Sequence, residues 1–345
     1  MKIYDKRKGA GSLNRSRMNG TDLEVSSICL GGGSFGSKLT KKQSYEVLDR
    51  YVALGGNFID TAKVYCSWIP GMERISETVI GTWLKERGNA NDLVIATKGA
   101  HYNFDTPNVS RVSKEDVYMD LDESRKILGM DTIDFYWLHR DDESKEIGEI
   151  IDFMEQLVQE GKIRYYGASN YSVDRLKEAE AYAKQHGKQG FSAVSNQWSL
   201  ASKRDEAIEA EKKESSLITT SYEQYCWHVD SKKPLVPYSA TAEGFFYKMY
   251  QDGRRLDMNN RVNKQEEVSV YWTDRNMMIY NDMLRLNREL GLSFISMSIA
   301  YLLNQPFEVY PVCGVSDIAQ LDDIFRGNEI VLPKDMVEKW HRMSW

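Results

Sequence analysis

The sequence predicts a (β/α)8 barrel, an α/β fold, with loop insertions over the face where the strands end. Short apolar runs alternate with helical patterns, and eight of these runs lie near residues 28, 58, 95, 136, 165, 194, 237 and 311. Several runs are continuously apolar, which is typical of parallel strands buried on both faces. Because no linker or low-complexity segment divides the 345 residues, we expect a single domain over residues 1–345.

The first part of the chain alternates strand and helix patterns regularly. The first apolar run, residues 26–30, is followed by a glycine cluster. Thr40, with Gln43 three residues later, is a capping-box signature and predicts that the first helix begins there. The paired glycines at 55–56 predict its end. The next predicted elements are strand 57–60, helix 74–88, strand 92–98, helix 112–129, strand 132–139, helix 146–161, strand 162–169 and helix 173–187.

The second part of the chain keeps this alternation less regularly. Residues 201–233 are polar, with a short helix expected around Tyr222–Val229, and residues 250–274 resemble a surface insertion. The other predicted elements are strand 191–197, strand 235–239, helix 276–291, helix 293–305, strand 308–314 and helix 317–327. Residues 335–343 predict a final helix that covers the barrel bottom or meets another subunit.

An open, doubly wound sheet is the alternative fold for such a pattern. It would favour an early G-x-G-x-x-G loop that leads directly into a helix. The early cluster in this chain, GGGSFG at residues 31–36, has no helix directly after it. The barrel therefore explains the alternation better than the open sheet does.

The composition is ordinary for a globular chain and argues against several classes of protein. Hydrophobic residues make up 41% and charged residues 28%, and the formal net charge is −6, whereas a nucleic-acid-binding protein usually has a basic face. No apolar stretch approaches the roughly 18 residues of a membrane span, and the first residues lack the apolar core of a signal peptide. The four cysteines have no metal-like or disulfide-like spacing, so we expect a cytoplasmic protein without a metal site.

Polar and titratable residues directly follow the predicted strands. The carboxyl ends of all strands in such a barrel open onto one face, which holds the active site. With Tyr65 in the loop after the second strand, the residues on this face are Asp60, Lys98, His139, Ser169, Asn170, Gln197, Trp198, Ser239 and Gly314. Taken alone, each has a structural alternative, such as a cap for Asp60 or a core position for His139.

Four of these side chains together fit proton transfer to a carbonyl oxygen. A phenol has an unperturbed pKa of about 10, and the ammonium of Lys98 near Tyr65 would favour the phenolate and lower that pKa. Asp60 would keep Lys98 charged and in place, and His139 would donate a hydrogen bond to the carbonyl oxygen. Because no side chain supplies a hydride, this reaction needs a redox cofactor.

The order of several segments resembles the aldo-keto reductase family. The resemblance runs from about Thr21 to Gly327 and rests on FIDTAKVY (58–65), GTWLKERGNANDLVIATK (81–98), IDFYWLHRDD (133–142), GKIRYYGASNY (161–171), VPYSATAEGFF (236–246) and VCGVSDIAQLDD (312–323). It implies a barrel that interconverts a carbonyl compound and its alcohol with NAD(P)(H). The family's catalytic tetrad falls on Asp60, Tyr65, Lys98 and His139, with Tyr65 as the general acid and base.

The resemblance also implies cofactor contacts. Ser169 and Asn170 would hold the nicotinamide carboxamide, and Trp198 would stack on the nicotinamide face. Ser239 would touch the pyrophosphate, although the family's S-P-L reads S-A-T here. The family's usual glutamine is replaced by Ser195, and the alternatives for its role are Gln197, next to Trp198, or a water. The remaining implied cofactor contacts are Gly314, Ser316, Asp317, Gln320 and Asp323.

The adenosine end departs from the NADPH-binding pattern of the family. Asp317 stands where a cation would meet the 2′-phosphate, and Ile324 replaces the usual asparagine. A carboxylate repels a phosphate, whereas it accepts a hydrogen bond from a free ribose hydroxyl. Asp317 therefore predicts use of NAD(H) at least as well as NADP(H), although the family as a whole points to NADP.

Aromatic and polar residues in the predicted loops suggest a sugar, polyol or glycoside as the small-molecule substrate. The residues concerned are Trp68, His101, Tyr102, Trp227, His228, Tyr247, Tyr271 and Trp272, of which Trp68, His101, Trp227 and His228 are the candidate substrate contacts. The structural alternative is that they pack the insertions. Two other functions stay open: a redox-sensing subunit that binds the cofactor without turnover, and an aldolase that forms a Schiff base through Lys98.

Overall fold

A curled sheet of seven parallel strands forms the centre of the structure, a computed structural model that describes residues 4–5, 15–251 and 269–345. The described residues form eleven strands, of which four pair in two small antiparallel sheets, β1 with β11 and β2 with β3. They are β1 (Tyr4–Asp5), β2 (Arg15–Arg17), β3 (Glu24–Ser26), β4 (Cys29–Gly31), β5 (Phe58–Asp60), β6 (Val94–Gly99), β7 (Ile133–Leu138), β8 (Ile163–Ser169), β9 (Val194–Ser195), β10 (Val312–Cys313) and β11 (Ile330–Val331). The order in the sheet is β10-β4-β5-β6-β7-β8-β9. Seven of the eight predicted strands are therefore present in a parallel arrangement.

The eighth predicted strand, at 235–239, closes the barrel through isolated bridges. Leu235 bridges both Val194 and Val309, so this segment joins the two edges of the sheet. The amide of Val236 donates to the carbonyl of Val194 at 2.7 Å. Prolines flank this part of the segment at positions 234 and 237, and proline has no N–H to donate to a neighbouring strand. The fold is thus the predicted (β/α)8 barrel, with one irregular strand.

Helices follow most of the barrel strands. They are α1 (Lys41–Ala53), α2 (Ile75–Arg87), α3 (Lys114–Leu128), α4 (Ile147–Gln159), α5 (Val173–Gln185), α6 (Asp205–Ser215), α7 (Tyr222–Ser231), α8 (Phe245–Gln251), α9 (Asp274–Leu290), α10 (Phe294–Leu303), α11 (Ile318–Glu329) and α12 (Lys334–Ser344), with 3-10 turns at Ala90–Asp92 and Ala242–Gly244. The predicted capping box is present, because Gln43 N–H donates to Thr40 Oγ1 while the Gln43 side chain accepts from Thr40 N–H. None of the helices in the described residues is long and apolar enough to cross a membrane.

A short antiparallel hairpin of β2 and β3 closes the bottom of the barrel. Met18, Leu23 and Val25 of this hairpin are buried and pack against the apolar side chains inside the barrel, such as Phe58 and Trp137. The sequence did not predict this hairpin. The predicted C-terminal helix is present as α12 and packs on α9.

The predicted insertion at 250–274 falls largely outside the described residues. Tyr250 and Gln251 end α8, and Asp274 begins α9. The other difference in this part of the chain is α6, which lies in the polar region where only the helix near Tyr222 was expected. The single domain over residues 1–345 stays a prediction.

Candidate active site

Asp60, Lys98 and Tyr65 form one hydrogen-bonded group at the carboxyl end of the barrel. Asp60 is the last residue of β5 and Lys98 lies near the end of the adjacent strand β6, which places both side chains at the same edge. The Lys98 ammonium donates to Asp60 Oδ2, to the Tyr65 hydroxyl at 3.0 Å and to the Thr61 carbonyl at 2.9 Å. The Tyr65 hydroxyl lies 3.3 Å from Asp60 Oδ2. The structure therefore brings together three of the four predicted catalytic side chains.

Burial sets the protonation state of Tyr65. It raises the pKa of Tyr65 to about 12, although Lys98 acts in the opposite direction. Burial also lowers the pKa of Lys98, but Asp60 and Tyr65 outweigh it, so the net pKa of Lys98 is raised. The net pKa shift of Tyr65 is thus upward, opposite to the fall that the sequence predicted. Tyr65 holds its proton at neutral pH, as a general acid must, and Lys98 stays charged.

His139 completes the group from the next strand along the sheet. It directly follows β7, and its amide donates to the Gly99 carbonyl at 2.9 Å. The His139 ring centre lies 6.1 Å from that of Tyr65. Burial, and then the nearby Arg140 cation, lower the pKa of His139 well below its usual range. The ring is therefore a neutral imidazole, and its buried Nδ1 has no partner within the described residues.

A cleft of about 890 Å³ leads from Tyr65 across the barrel mouth to α11. Four of the predicted cofactor contacts line it: Ser239, Gly314, Ser316 and Gln320. Asp323 lies on α11 behind this lining, and its buried Oδ1 has no partner within the described residues. Among those same residues, no group of histidine, cysteine and acidic side chains is arranged to hold a metal ion.

The residues of the cleft fit a dinucleotide. Gly31 ends β4, and a Cβ added there would lie 3.0 Å from Val312 Cγ1, so a side chain would crowd the cleft floor. Lys38 and Lys248 supply positive charge to the cleft, and Glu243 is the acidic residue among those that line it. The lysine ammonium groups, together with the hydroxyls of serine and threonine residues that line the cleft, suit phosphate and ribose groups. The sequence showed the glycine cluster directly after the first strand, but its place in the cleft and that of the two lysines were not predicted.

Ser169 and Asn170 lie at the carboxyl end of β8 beside His139 and are not among the residues that line the cleft. Their contact with the nicotinamide carboxamide stays a prediction. Both are already hydrogen-bonded within the protein. The Ser169 hydroxyl donates to the Ser195 carbonyl at 2.7 Å, and Asn170 Nδ2 donates to the His139 carbonyl at 3.1 Å. The Tyr238 hydroxyl donates to Asn170 Oδ1 at 2.7 Å. A carboxamide bound here would share or replace these bonds.

Trp198 is not in the cleft, so the prediction that it stacks on the nicotinamide needs correction. The indole is 3% exposed and packs in an aromatic cluster with Phe307 and Trp345, with ring centres 6.2 and 6.3 Å away. Tyr238 is an aromatic residue at this end of the barrel, next to Ser239 and bonded to Asn170. Sequence reasoning missed Tyr238, although it directly precedes Ser239 in the predicted strand 235–239.

Asp317 has a structural role at the start of α11. It is the N-cap residue, and its Oδ1 accepts the Gln320 amide at 2.8 Å. Gln320 in turn accepts the Ser316 amide at 2.9 Å through its side chain. Ser316 and Gln320 line the cleft, whereas Asp317 does not. The helix cap accounts for an aspartate at this position, so the predicted preference for NAD(H) loses its main support.

The four candidate substrate contacts divide into two pairs. The His101 ring centre lies 4.9 Å from that of His139, and Trp68 is an exposed residue in the loop after Tyr65. Trp227 and His228 lie on α7, outside the barrel. Trp227 lines a separate groove beside α5, and His228 is fully buried, with Nδ1 bonded to the Lys233 carbonyl. The prediction for Trp227 and His228 is therefore wrong, because both side chains pack the helical layer.

Comparison with known proteins gives one family. The model of the aldo/keto reductase family matches residues 27–344. The chain is 26% identical over 315 residues to norsolorinic acid reductase B of Aspergillus parasiticus, covering 88% of this chain and 76% of that protein. It is 26% identical over 327 residues to the NADP(+) aryl-alcohol dehydrogenase of Phanerodontia chrysosporium, covering 89% and 80%. An aldo-keto reductase from Klebsiella pneumoniae, solved with NADPH, superposes with a TM-score of 0.67 at 20% identity, covering 96% and 95%.

Proposed function

The chain belongs to the aldo/keto reductase family, and on this basis we propose that it interconverts an aldehyde or ketone and its alcohol with NADP(H). One observation carries the proposal. The side chains of Asp60, Lys98 and Tyr65 form a hydrogen-bonded group, with His139 beside it, at one end of a cleft that fits a dinucleotide.

Each of these side chains has a role in moving one proton. When bound, the cofactor supplies the hydride for reduction and accepts it in oxidation. The Tyr65 hydroxyl gives its proton to the carbonyl oxygen, and the Lys98 ammonium, 3.0 Å away, stabilises the phenolate left behind. Neutral His139 donates a hydrogen bond to the same oxygen and orients it. Asp60 keeps Lys98 charged and in position.

The proposed preference for NADP(H) over NAD(H) rests on charge in the cleft and on the relatives. Lys38 and Lys248 line the cleft and can pair with phosphate groups. The aryl-alcohol dehydrogenase carries NADP(+) in its name, and the Klebsiella structure contains NADPH. Asp317 does not oppose this assignment, since it caps a helix.

We propose an aromatic carbonyl compound as the substrate. The rings of His101, Tyr102 and Phe104 lie together next to His139, with centres 4.1 and 5.6 Å from His101. A group of aromatic side chains of this kind can pack against the flat ring of an aromatic substrate. A relative that is named an aryl-alcohol dehydrogenase is consistent with this choice. The sugar hypothesis is weaker, because Trp227 and His228 are not at the site.

The environment of Lys98 disfavours the aldolase alternative. A Schiff-base lysine must be a free amine, which requires a lowered pKa. The pKa of Lys98 is raised, because its ammonium is paired with Asp60 and bonded to Tyr65. Borohydride trapping with a keto substrate should therefore label nothing at Lys98.

The test is Tyr65→Phe, which removes the proton donor and keeps the ring. We expect the variant to bind NADPH like the wild type, while reduction of an aromatic aldehyde falls by about 10²- to 10⁴-fold. Cofactor binding is measured by calorimetry and turnover by loss of NADPH absorbance. The matched control is Tyr182→Phe, which removes a surface hydroxyl bonded to Asp152 and should keep full activity. Wild-type turnover in Tyr65→Phe would refute the role of Tyr65, and absence of turnover in the wild type would favour the redox-sensing alternative.

A further inference from the structure

Arg140 places a buried cation next to the proposed proton donors. It directly follows His139 and is 8% exposed. Its Nη1 donates to the His139 carbonyl at 2.8 Å, while its buried Nε has no partner within the described residues. The guanidinium lies 5.7 Å from the ring centre of Tyr102, on the aromatic side of the site. Arg140 therefore lies between His139 and the aromatic residue Tyr102.

The charge of Arg140 is not compensated in the described part of the chain. Burial lowers its pKa, and the groups that oppose this most are the hydroxyls of Tyr238, Tyr102 and Tyr65 instead of carboxylates. The adjacent acid, Asp141, pairs with Arg175 at 3.1 Å. None of the described acidic residues forms an ion pair with Arg140. A buried charge is costly unless a partner of opposite sign accompanies it.

We propose that Arg140 binds an anionic group of the substrate, so that the enzyme acts on carbonyl compounds that carry a carboxylate. The inference rests on the proposed function and deepens it. A guanidinium can present two parallel N–H groups to the two oxygens of a carboxylate. Arg140 Nε has no partner within the described residues, and a single cation matches a single negative charge better than it matches a dianionic phosphate ester. Because Arg140 adjoins His139, the carboxylate and the carbonyl oxygen belong to one small molecule.

The test compares two aldehydes that differ in one charge, 4-carboxybenzaldehyde and its methyl ester, with NADPH as the reductant. For the wild type we expect kcat/KM for the acid to exceed that for the ester by about tenfold or more, as a charge-assisted hydrogen bond predicts. In Arg140→Met this ratio should fall to about one, and Arg140→Lys should give an intermediate value, since lysine keeps the charge without the planar fork.

A matched control separates this effect from general damage. Arg87→Met removes an exposed arginine that pairs with Asp49, far from the cleft, and should leave the ratio of the two aldehydes unchanged. Using a ratio also cancels any loss of folded protein in Arg140→Met. An acid-to-ester ratio that is the same in the wild type and in Arg140→Met would overturn the proposal.

Binding without turnover distinguishes failure of this inference from failure of the proposed function. Calorimetry with 4-carboxybenzaldehyde and its ester, with and without NADP(+), needs no reaction. If neither aldehyde is reduced but the acid still binds more tightly, and Arg140→Met abolishes that difference, then the anion site stands and the proposed oxidoreductase function fails. Equal binding of acid and ester by the wild type would refute the anion site, whether or not the enzyme is active.

Discussion

Two opposing effects act on the pKa of Tyr65: burial raises it and the Lys98 ammonium lowers it. Burial is the stronger, so the phenol keeps its proton up to high pH. This favours the direction in which Tyr65 gives a proton away. In the proposed mechanism the opposite direction, alcohol oxidation, needs the phenolate of Tyr65, which is scarce at neutral pH. The two directions should therefore respond differently to pH.

We predict that kcat/KM for alcohol oxidation rises steadily between pH 7 and 10. The sign follows from the pKa of Tyr65, about 12, because the base form gains roughly tenfold in population for each pH unit below that value. Reduction uses the protonated form and should stay nearly level over this range. Initial rates in both directions with one aromatic alcohol and its aldehyde provide the measurement. Oxidation that reaches a plateau below pH 8 would show that the catalytic acid has a much lower pKa.

At the scale of elements, one buried carboxylate joins three segments of the barrel mouth. Asp120 of α3 is fully buried and accepts hydrogen bonds from Lys63, in the loop after β5, and from the Ala100 amide at 3.1 Å, after β6. Arg111 binds its two oxygens at 2.8 and 2.7 Å. The Arg111 Nη1 also lies 3.4 Å from the His101 carbonyl. Asp120 thus fixes the loop that carries His101.

We predict that Asp120→Asn destabilises the protein by about 3–5 kcal/mol, the usual cost of leaving a buried ion pair without one charge. KM for aromatic aldehydes should also rise, since the loop with His101 loses its anchor. Thermal unfolding and steady-state kinetics test the two parts. Asp122→Asn on the same helix is the control, because Asp122 is half-exposed and pairs with Arg125 at the surface. Equal unfolding temperatures for the two variants would contradict this account of Asp120.

At the scale of the whole molecule, the barrel wall allows little extra volume. Gly167 of β8 faces the barrel interior, where a Cβ would lie 2.5 Å from Trp137 Cζ3 and 2.6 Å from the Ala193 carbonyl. We predict that Gly167→Ala costs about 1–3 kcal/mol, typical of an overfilled core. Gly33→Ala is the control, since a Cβ there meets nothing within 4 Å. The unfolding midpoints of both variants in urea give the comparison, and a stable Gly167→Ala would mean that the barrel can expand.

The periodicity of the chain was sufficient to predict the barrel. The strand Ile133–Leu138, apolar except for Asp134, and the capping box at Thr40 were confirmed in place. The hairpin of β2 and β3 could not be predicted, because β2 is exposed throughout and only three residues long. Short polar strands of that kind carry no hydrophobic pattern.

Site residues at the ends of regular strands were predicted correctly from their position in the sequence. Residues whose role depends on the direction in which the side chain points were not. Asp60 and Lys98 were placed correctly by counting from the end of each strand. Trp198 was misplaced, because successive side chains near a strand point to opposite faces, and this one points out towards the helices. Tyr238, in contrast, points towards the carboxyl end of β8, where its hydroxyl bonds Asn170. Orientation at irregular strand ends cannot be read from one sequence.

The contacts of Asp120 also limit how this protein can be redesigned. Barrel enzymes often gain new specificities by exchange of single loops, since each loop is normally an independent module. Here the loops after two neighbouring strands and the start of α3 share one carboxylate. Replacing one of these loops with a loop from another enzyme would leave the remaining charged side chains, such as Asp120, without their partners. A design that changes the specificity of this protein should therefore replace the three segments together.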